Sequence, residues 1–220
     1  MTQHHQAVGG APLSYLIARP SSGPPSRGWP LVLFLHGVGE RGDDLTLVAR
    51  YALPRLIEQG RDFPFVVVSP QCPAGQRWTD RLADLGRLLD ELQRRLSIDR
   101  DRVSVTGLSM GGEGAWALAA AYPGRFAAVA PVCGRADPTQ APRLRGVAVW
   151  AFHGQRDETV PATHTIDMVA AIEASGGRAR ATIYPELGHD CWDAAYATGE
   201  LYEWLLECRR PASSDCPPVS

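Results

Sequence analysis

A serine held between glycines two residues to either side, in Thr106-Gly107-Leu108-Ser109-Met110-Gly111-Gly112, follows directly on the alternating run Arg102-Val103-Ser104-Val105. A hydroxyl can stand at the tip of a sharp strand-to-helix turn only where the flanking backbone approaches closely, which requires residues without bulk at Gly107 and Gly111. The helix that follows would aim its free N–H groups and the positive end of its dipole at negative charge developing beside the serine. The plain alternative is Ser109 as an ordinary helix N-cap, since short Gly-x-Ser-x-Gly patterns arise by chance in a chain with 22 glycines.

A serine nucleophile needs a histidine to take its proton and an acid to orient that histidine, and on this kind of turn they follow in the order Ser, Asp/Glu, His. Downstream, the strand-like Gly146-Val147-Ala148-Val149-Trp150-Ala151-Phe152 runs into His153-Gly154-Gln155-Arg156-Asp157-Glu158-Thr159-Val160-Pro161, which places Asp157 on a loop after a buried strand. Arg180-Ala181-Thr182-Ile183-Tyr184-Pro185 likewise leads to Gly188-His189-Asp190. Ser109, Asp157 and His189 are thus the expected nucleophile, orienting acid and general base. Each lies beyond the C-terminal end of a predicted strand, where open parallel sheets build their sites. Glu158 and Asp190 are the alternative acids.

On these residues the chain resembles the α/β-hydrolases, in particular the small serine esterases of the dienelactone hydrolase, phospholipase/carboxylesterase and "predicted peptidase" type, including feruloyl-esterase-like proteins. The resemblance runs from about Leu31 to Leu206. It rests on Leu35-His36-Gly37-Val38-Gly39-Glu40-Arg41-Gly42-Asp43, Ser69-Pro70-Gln71-Cys72-Pro73 with Arg77-Trp78, the Ser109 turn, His153-Gly154-x-x-Asp157-x-x-Val160-Pro161 and Gly188-His189-Asp190. It implies an α/β fold: a mostly parallel central sheet with helices on both faces and no lid domain. It also implies a serine carboxylesterase acting on short-chain or aromatic soluble esters through an acyl-enzyme, with no metal and no cofactor. The match to His-Gly-x-x-Asp-x-x-Val-Pro favours Asp157 as the acid.

With 220 residues, 45% of them hydrophobic, the chain can bury the core of a single domain, expected over residues 1–210, ahead of a Pro- and Ser-rich flexible tail at 211–220. The net charge of −2 and the lack of any long basic run exclude an electrostatic footprint for nucleic acid or anionic membrane. All 22 basic residues are arginine, which removes Schiff-base chemistry, Walker-type phosphate binding and Ser-Lys dyads. The start of the chain has no apolar signal-peptide core, and no run approaches the ~18 residues that would span a bilayer, so a cytoplasmic location is expected. His4 and His5 read as part of a mobile start. Cys72, Cys133, Cys191, Cys208 and Cys216 have no metal-ligand spacing and read as free thiols; a bridge between Cys72 and Cys191 is the pairing their loops would permit.

Strands are predicted at Leu13–Ala18, Leu31–Leu35, Phe65–Ser69, Phe126–Val132, Gly146–Phe152 and Arg180–Pro185, besides the run entering Ser109. A helix from about Leu47 to Gln59 is interrupted by Pro54. Leu82, Leu85, Leu88, Leu89, Leu92 and Leu96 recur at helical spacing, with Thr79 or Asp80 as cap. Further helices run from Met110 to Tyr122, near Ala162 to Ala174, and from Trp192 to Cys208. The βαβα alternation gives a sheet wrapped on both sides. Only Cys133 to Arg145 separates the strand ending at Val132 from the next, too little for a helical lid.

In the expected reaction the oxyanion is held by the N–H of Met110 and by an N–H from the His36 loop, that of Val38. His36 and His153, each before a glycine, read as structural. Glu40, Arg41 and Asp43 would form an internal ionic network or touch substrate. Trp78 and Trp192 would line an aromatic-accepting cleft or pack in the core. The expected partner is a small-molecule ester. A peptidase or amidase of the prolyl-oligopeptidase superfamily and a noncatalytic binding protein on the same scaffold are the competing readings. The sequence is silent on oligomeric state.

Overall fold

The computed structural model describes residues 5–8 and 12–211, so Cys216 and the tail at 212–220 lie outside the described residues. One sheet holds eight strands in the order β1-β2-β4-β3-β5-β6-β7-β8. They are β1 (His5–Val8), β2 (Tyr15–Ala18), β3 (Trp29–Leu35), β4 (Val66–Pro70), β5 (Ile98–Leu108), β6 (Ala128–Val132), β7 (Ala148–Gly154) and β8 (Arg178–Tyr184). β1 pairs antiparallel with β2 and β2 antiparallel with β4, while every pairing from β4 through β8 is parallel. The inner strands are continuous apolar runs because both their faces are covered. β8 closes one edge and exposes Arg178 and Arg180 there, charges that discourage further strand pairing.

Helices α2 (Leu82–Arg95), α3 (Met110–Ala121) and α4 (Thr163–Ala174) cover one face, where Leu85, Leu89, Leu118 and Ile172 join the core. On the other face α1 (Ala52–Glu58), α5 (Trp192–Ala197) and α6 (Gly199–Glu207) pack Leu53, Ile57, Tyr196 and Leu201 against Phe34, Val67 and Phe152. Between β6 and β7 the chain forms only a 3-10 turn, Pro138–Leu144.

Local departures from the sequence reading have physical causes. β1, read from its polar start as mobile, is held by hydrogen bonds to β2 in the register His5↔Ala18 to Val8↔Tyr15, a pairing no local pattern reveals. The helix expected over 47–59 is a 3-10 turn, Leu45–Arg50, followed by α1. Pro54 sits in the first turn of α1, where its missing N–H costs no intrahelical bond. α2 starts at Leu82, and neither Thr79 nor Asp80 caps it; Asp80 instead accepts the Arg77 N–H at the entry to the 3-10 turn Trp78–Arg81. The helix expected from Trp192 to Cys208 divides at Thr198, whose backbone is extended at φ −69°, ψ 107°.

Candidate active site

β5 delivers Ser109 to the start of α3 with φ 53° and ψ −115°, a conformation that L-residues rarely adopt. The space around this turn explains its glycines: a Cβ on Gly107 would lie 2.4 Å from the Gly111 carbonyl oxygen, and one on Gly111 1.9 Å from that of Leu35. β3 and the start of α3 therefore touch backbone to backbone. The Ser109 N–H is spent on the Val132 carbonyl at 2.9 Å, fixing the turn to β6.

β8 brings His189 to the same end of the sheet, with Nε2 2.8 Å from Ser109 Oγ. Its Nδ1 is 2.7 Å from Asp157 Oδ2. Because a carboxylate only accepts, Nδ1 carries the proton and Nε2 is left to accept from the serine hydroxyl. Of the acids Asp157, Glu158 and Asp190, it is Asp157 that meets the imidazole.

Asp157 is held from every side. Its Oδ1 accepts the N–H groups of Thr159, at 2.9 Å, and Val160, at 2.8 Å. Its Oδ2 also faces His153 Nε2 at 3.1 Å. Burial alone would raise the pKa of this carboxyl, but the hydrogen bonds from Val160, His189 and Thr159 outweigh it, and the pKa lies below the usual aspartate value. His153, fully buried, donates from Nε2 to Asp157 and to the Val160 carbonyl, 2.8 Å away, and accepts at Nδ1 from the Thr165 hydroxyl. Burial lowers its pKa and keeps it neutral. Sequence reasoning read His153 as structural; what it missed is the direct clamp on Asp157, which the four-residue spacing does not disclose.

Val38 and Met110 each open a helical segment, so their N–H groups have no intrahelical acceptor. The loop carrying Val38 is fixed from beneath by His36. Its Nδ1 donates to the Gly37 carbonyl at 2.6 Å, and its Nε2 accepts the Cys72 N–H at 3.0 Å. Burial pushes the His36 pKa down to about 4. Trp78 is wholly buried, sets its ring edge-on to His36 and donates its indole N–H to the His36 carbonyl at 2.9 Å. Trp78 therefore supports the loop from the core and offers no surface to a cleft.

The ionic network expected of Glu40, Arg41 and Asp43 is not formed among the described residues. Arg41 instead donates to the carbonyls of Val38, at 2.9 Å, and Gln76, at 3.1 Å. Glu40 is buried, which raises its pKa, against the opposing effect of a hydrogen bond with the Gly37 backbone.

Trp192 is half-buried and stands at 90° to the His189 ring, 5.8 Å between centroids. Tyr51 braces it from behind at 5.6 Å, and the next residue, Ala52, has φ 55°. Tyr51 was not singled out by sequence; the strained backbone beside it is visible only in three dimensions. Trp192 thus sets an apolar ring beside His189, and Val38 is 49% exposed.

Cys72, Cys133, Cys191 and Cys208 are free thiols. Cys191 lies beside Cys133, at the end of β6, and its proximity adds to burial in raising the Cys133 pKa. Among the described residues no group of His, Cys, Asp and Glu side chains is arranged to hold a metal ion, and no helix is long and apolar enough to cross a membrane.

Known proteins resemble this chain in sequence or in fold. Poly(3-hydroxyalkanoate) depolymerase C of Paucimonas lemoignei is 31% identical over 128 residues, which are 51% of this chain and 29% of that protein. The crystal structure of a thermostable esterase superposes with a TM-score of 0.83 at 31% identity, over 95% of this chain and 64% of the other. An acylaminoacyl peptidase of Pyrococcus horikoshii shares the fold at a TM-score of 0.69 and 14% identity, over 97% of this chain and 43% of its own. The chain thus spans less than two thirds of each of these proteins. A family model described as "Dienelactone hydrolase family" matches residues 74–195, more than half the sequence, including the Ser109 turn, Asp157 and His189. With this match laid over an α/β-hydrolase sheet, the chain belongs to the dienelactone hydrolase family.

Proposed function

We propose that this chain is a serine esterase in which Ser109 is the nucleophile, His189 the general base and Asp157 the acid that orients it. The observation that carries the reading is the continuous relay Ser109 Oγ–His189–Asp157, at 2.8 and 2.7 Å, set on a strained serine. Ser109 Oγ attacks the ester carbonyl carbon while its proton passes to His189 Nε2, and Asp157 stabilises the imidazolium. The carbonyl oxygen, now negative, is held by the N–H groups of Val38 and Met110, each such donor contributing about 3 to 4 kcal/mol of transition-state stabilisation. Collapse expels the alcohol, which takes the proton from Nε2. Water, deprotonated by the same nitrogen, then releases the acid and regenerates Ser109.

Substrates are short-chain or aromatic soluble esters, with Trp192 as an apolar wall beside the imidazole. The site is open because the β6–β7 connection holds no more than a 3-10 turn, so nothing there must swing away at an oil interface. The likeness to a poly(3-hydroxyalkanoate) depolymerase adds oligoesters of hydroxy acids to the candidates.

The test is hydrolysis of p-nitrophenyl esters from acetate to palmitate, methyl ferulate, a hydroxyacyl oligoester and a peptide anilide by wild type and Ser109→Ala. Turnover of the short or aromatic esters that is lost in the variant is the expected result. Equal rates in both proteins would reject Ser109 as the nucleophile, and turnover confined to a peptide anilide would replace esterase by peptidase.

A further inference from the structure

A concavity of about 600 Å³ opens on the outer side of α3. It starts at Glu113, whose N–H bonds the Ser109 carbonyl at 3.0 Å, and runs along the helix to Ala121. Leu82, Trp116, Ala117, Ala120 and Met168 give it an apolar floor in which alanines leave the room. Its volume lies within the range of small-molecule sites.

The polar groups stand at the rim, and their pairing is uneven. Glu113 is bound by Arg77, and Asp137 turns its carboxylate onto the N–H and hydroxyl of Thr139 at 3.0 and 2.7 Å. Arg135 is exposed and makes no ion pair or side-chain hydrogen bond among the described residues. Arg143 donates its Nε to the Ala120 carbonyl at 2.6 Å and has no carboxylate partner among them. The groove therefore joins an aliphatic trough to two guanidiniums without acidic partners, one of them on the loop that packs against the start of α3: a Cβ on Gly134 would lie 2.4 Å from the Glu113 nitrogen. A guanidinium fork matches a carboxylate in two parallel hydrogen bonds.

We propose that this groove binds an aliphatic carboxylate, its chain along Ala117 and Ala120 and its head on Arg135. Only the source of such a ligand, the acid portion of an ester substrate, rests on the esterase reading. The probe is octanoate, titrated calorimetrically into the full chain. One saturable site with equal affinity in wild type and Ser109→Ala is expected. Ala117→Trp, which fills the trough, and Arg135→Gln, which removes the fork, each weaken binding at least tenfold, with thermal melts showing that both variants fold.

Competitive inhibition of p-nitrophenyl octanoate hydrolysis would assign the carboxylate to the substrate's own acid, and binding without inhibition to a separate ligand; both support the groove. No saturable binding to wild type, or equal affinity across the groove variants, overturns it. The esterase reading fails separately, if Ser109→Ala still hydrolyses esters while octanoate binds as described.

Discussion

Asp157 concentrates more of the site's hydrogen bonding than any other side chain, and this makes its replacement informative. In Asp157→Asn, the amide oxygen stays on the Thr159 and Val160 N–H groups, so the NH2 takes the place of Oδ2 and faces His189 Nδ1. The imidazole must then accept at Nδ1 and carry its proton on Nε2, the atom that receives the proton of Ser109 in the proposed reaction. His153 Nε2–H keeps the Val160 carbonyl as acceptor, so the loop loses little. The expected outcome is a fall in kcat of order 10⁴ for p-nitrophenyl ester hydrolysis, with a nearly unchanged melting temperature. Activity close to wild type would assign orientation of His189 to another group. The residue types of this relay and their order along the chain are legible in the sequence. The clamp on Asp157 is not, because it depends on which way the chain turns after β7: His153 could equally have faced the core unpartnered.

At the scale of elements, the turn that presents Val38 is tied to the end of β4 by the Gln71 amide, which donates to the Glu40 carbonyl at 2.9 Å, and by one buried imidazole, His36, which makes this junction sensitive to acid. Its pKa is about 4 in the folded chain against 6.5 when exposed. Above 6.5 both states are neutral and the group is without effect. As pH falls from 6.5 towards 4 the unfolded chain takes up a proton that the folded chain refuses, and stability drops by about 3 kcal/mol over that window. His36→Gln, compared with wild type by urea unfolding at pH 7 and pH 4.5, should show a shallower loss across the interval, whatever its stability at pH 7. An identical loss in both proteins would remove His36 as its source. The buried strands and the amphipathic α2 are legible because period and composition are local properties. Their junctions are less so: Ala52, Thr198 and the 3-10 entry to α2 are set by what the ends of the elements meet. Trp78 illustrates the limit, since a tryptophan after a site loop reads as wall or core until its indole is found on the His36 carbonyl.

For the whole molecule, the two cores lie on opposite faces of one sheet and share every inner strand, so we expect residues 12–211 to unfold as a unit. The end opposite the site bears on this. Asp99 is buried and meets Arg209 at 3.2 Å, Arg102 at 3.5 Å and Arg27 at 3.9 Å, while Arg210 bonds Asp101 at 2.8 Å and Arg102 reaches the Leu206 carbonyl at 3.2 Å. The segment after α6 is thereby pinned to β5, the strand that carries Ser109 at its other end. Asp99→Ala leaves Arg102 and Arg209 converging on a site without its counter-charge, while Arg27 keeps Asp101 at 3.0 Å. Because Arg27 and Arg209 are largely solvated, the cost is discounted from that of a fully buried pair to about 2 kcal/mol. Trp116 reports on the α3 face, Trp150 and Trp204 on the α6 face, and circular dichroism on both. In Asp99→Ala the fluorescence and circular dichroism transitions should move down together and remain superimposed, as in wild type. Separation of the two curves would show that the molecule does not unfold as a unit and that the sheet does not couple the two cores.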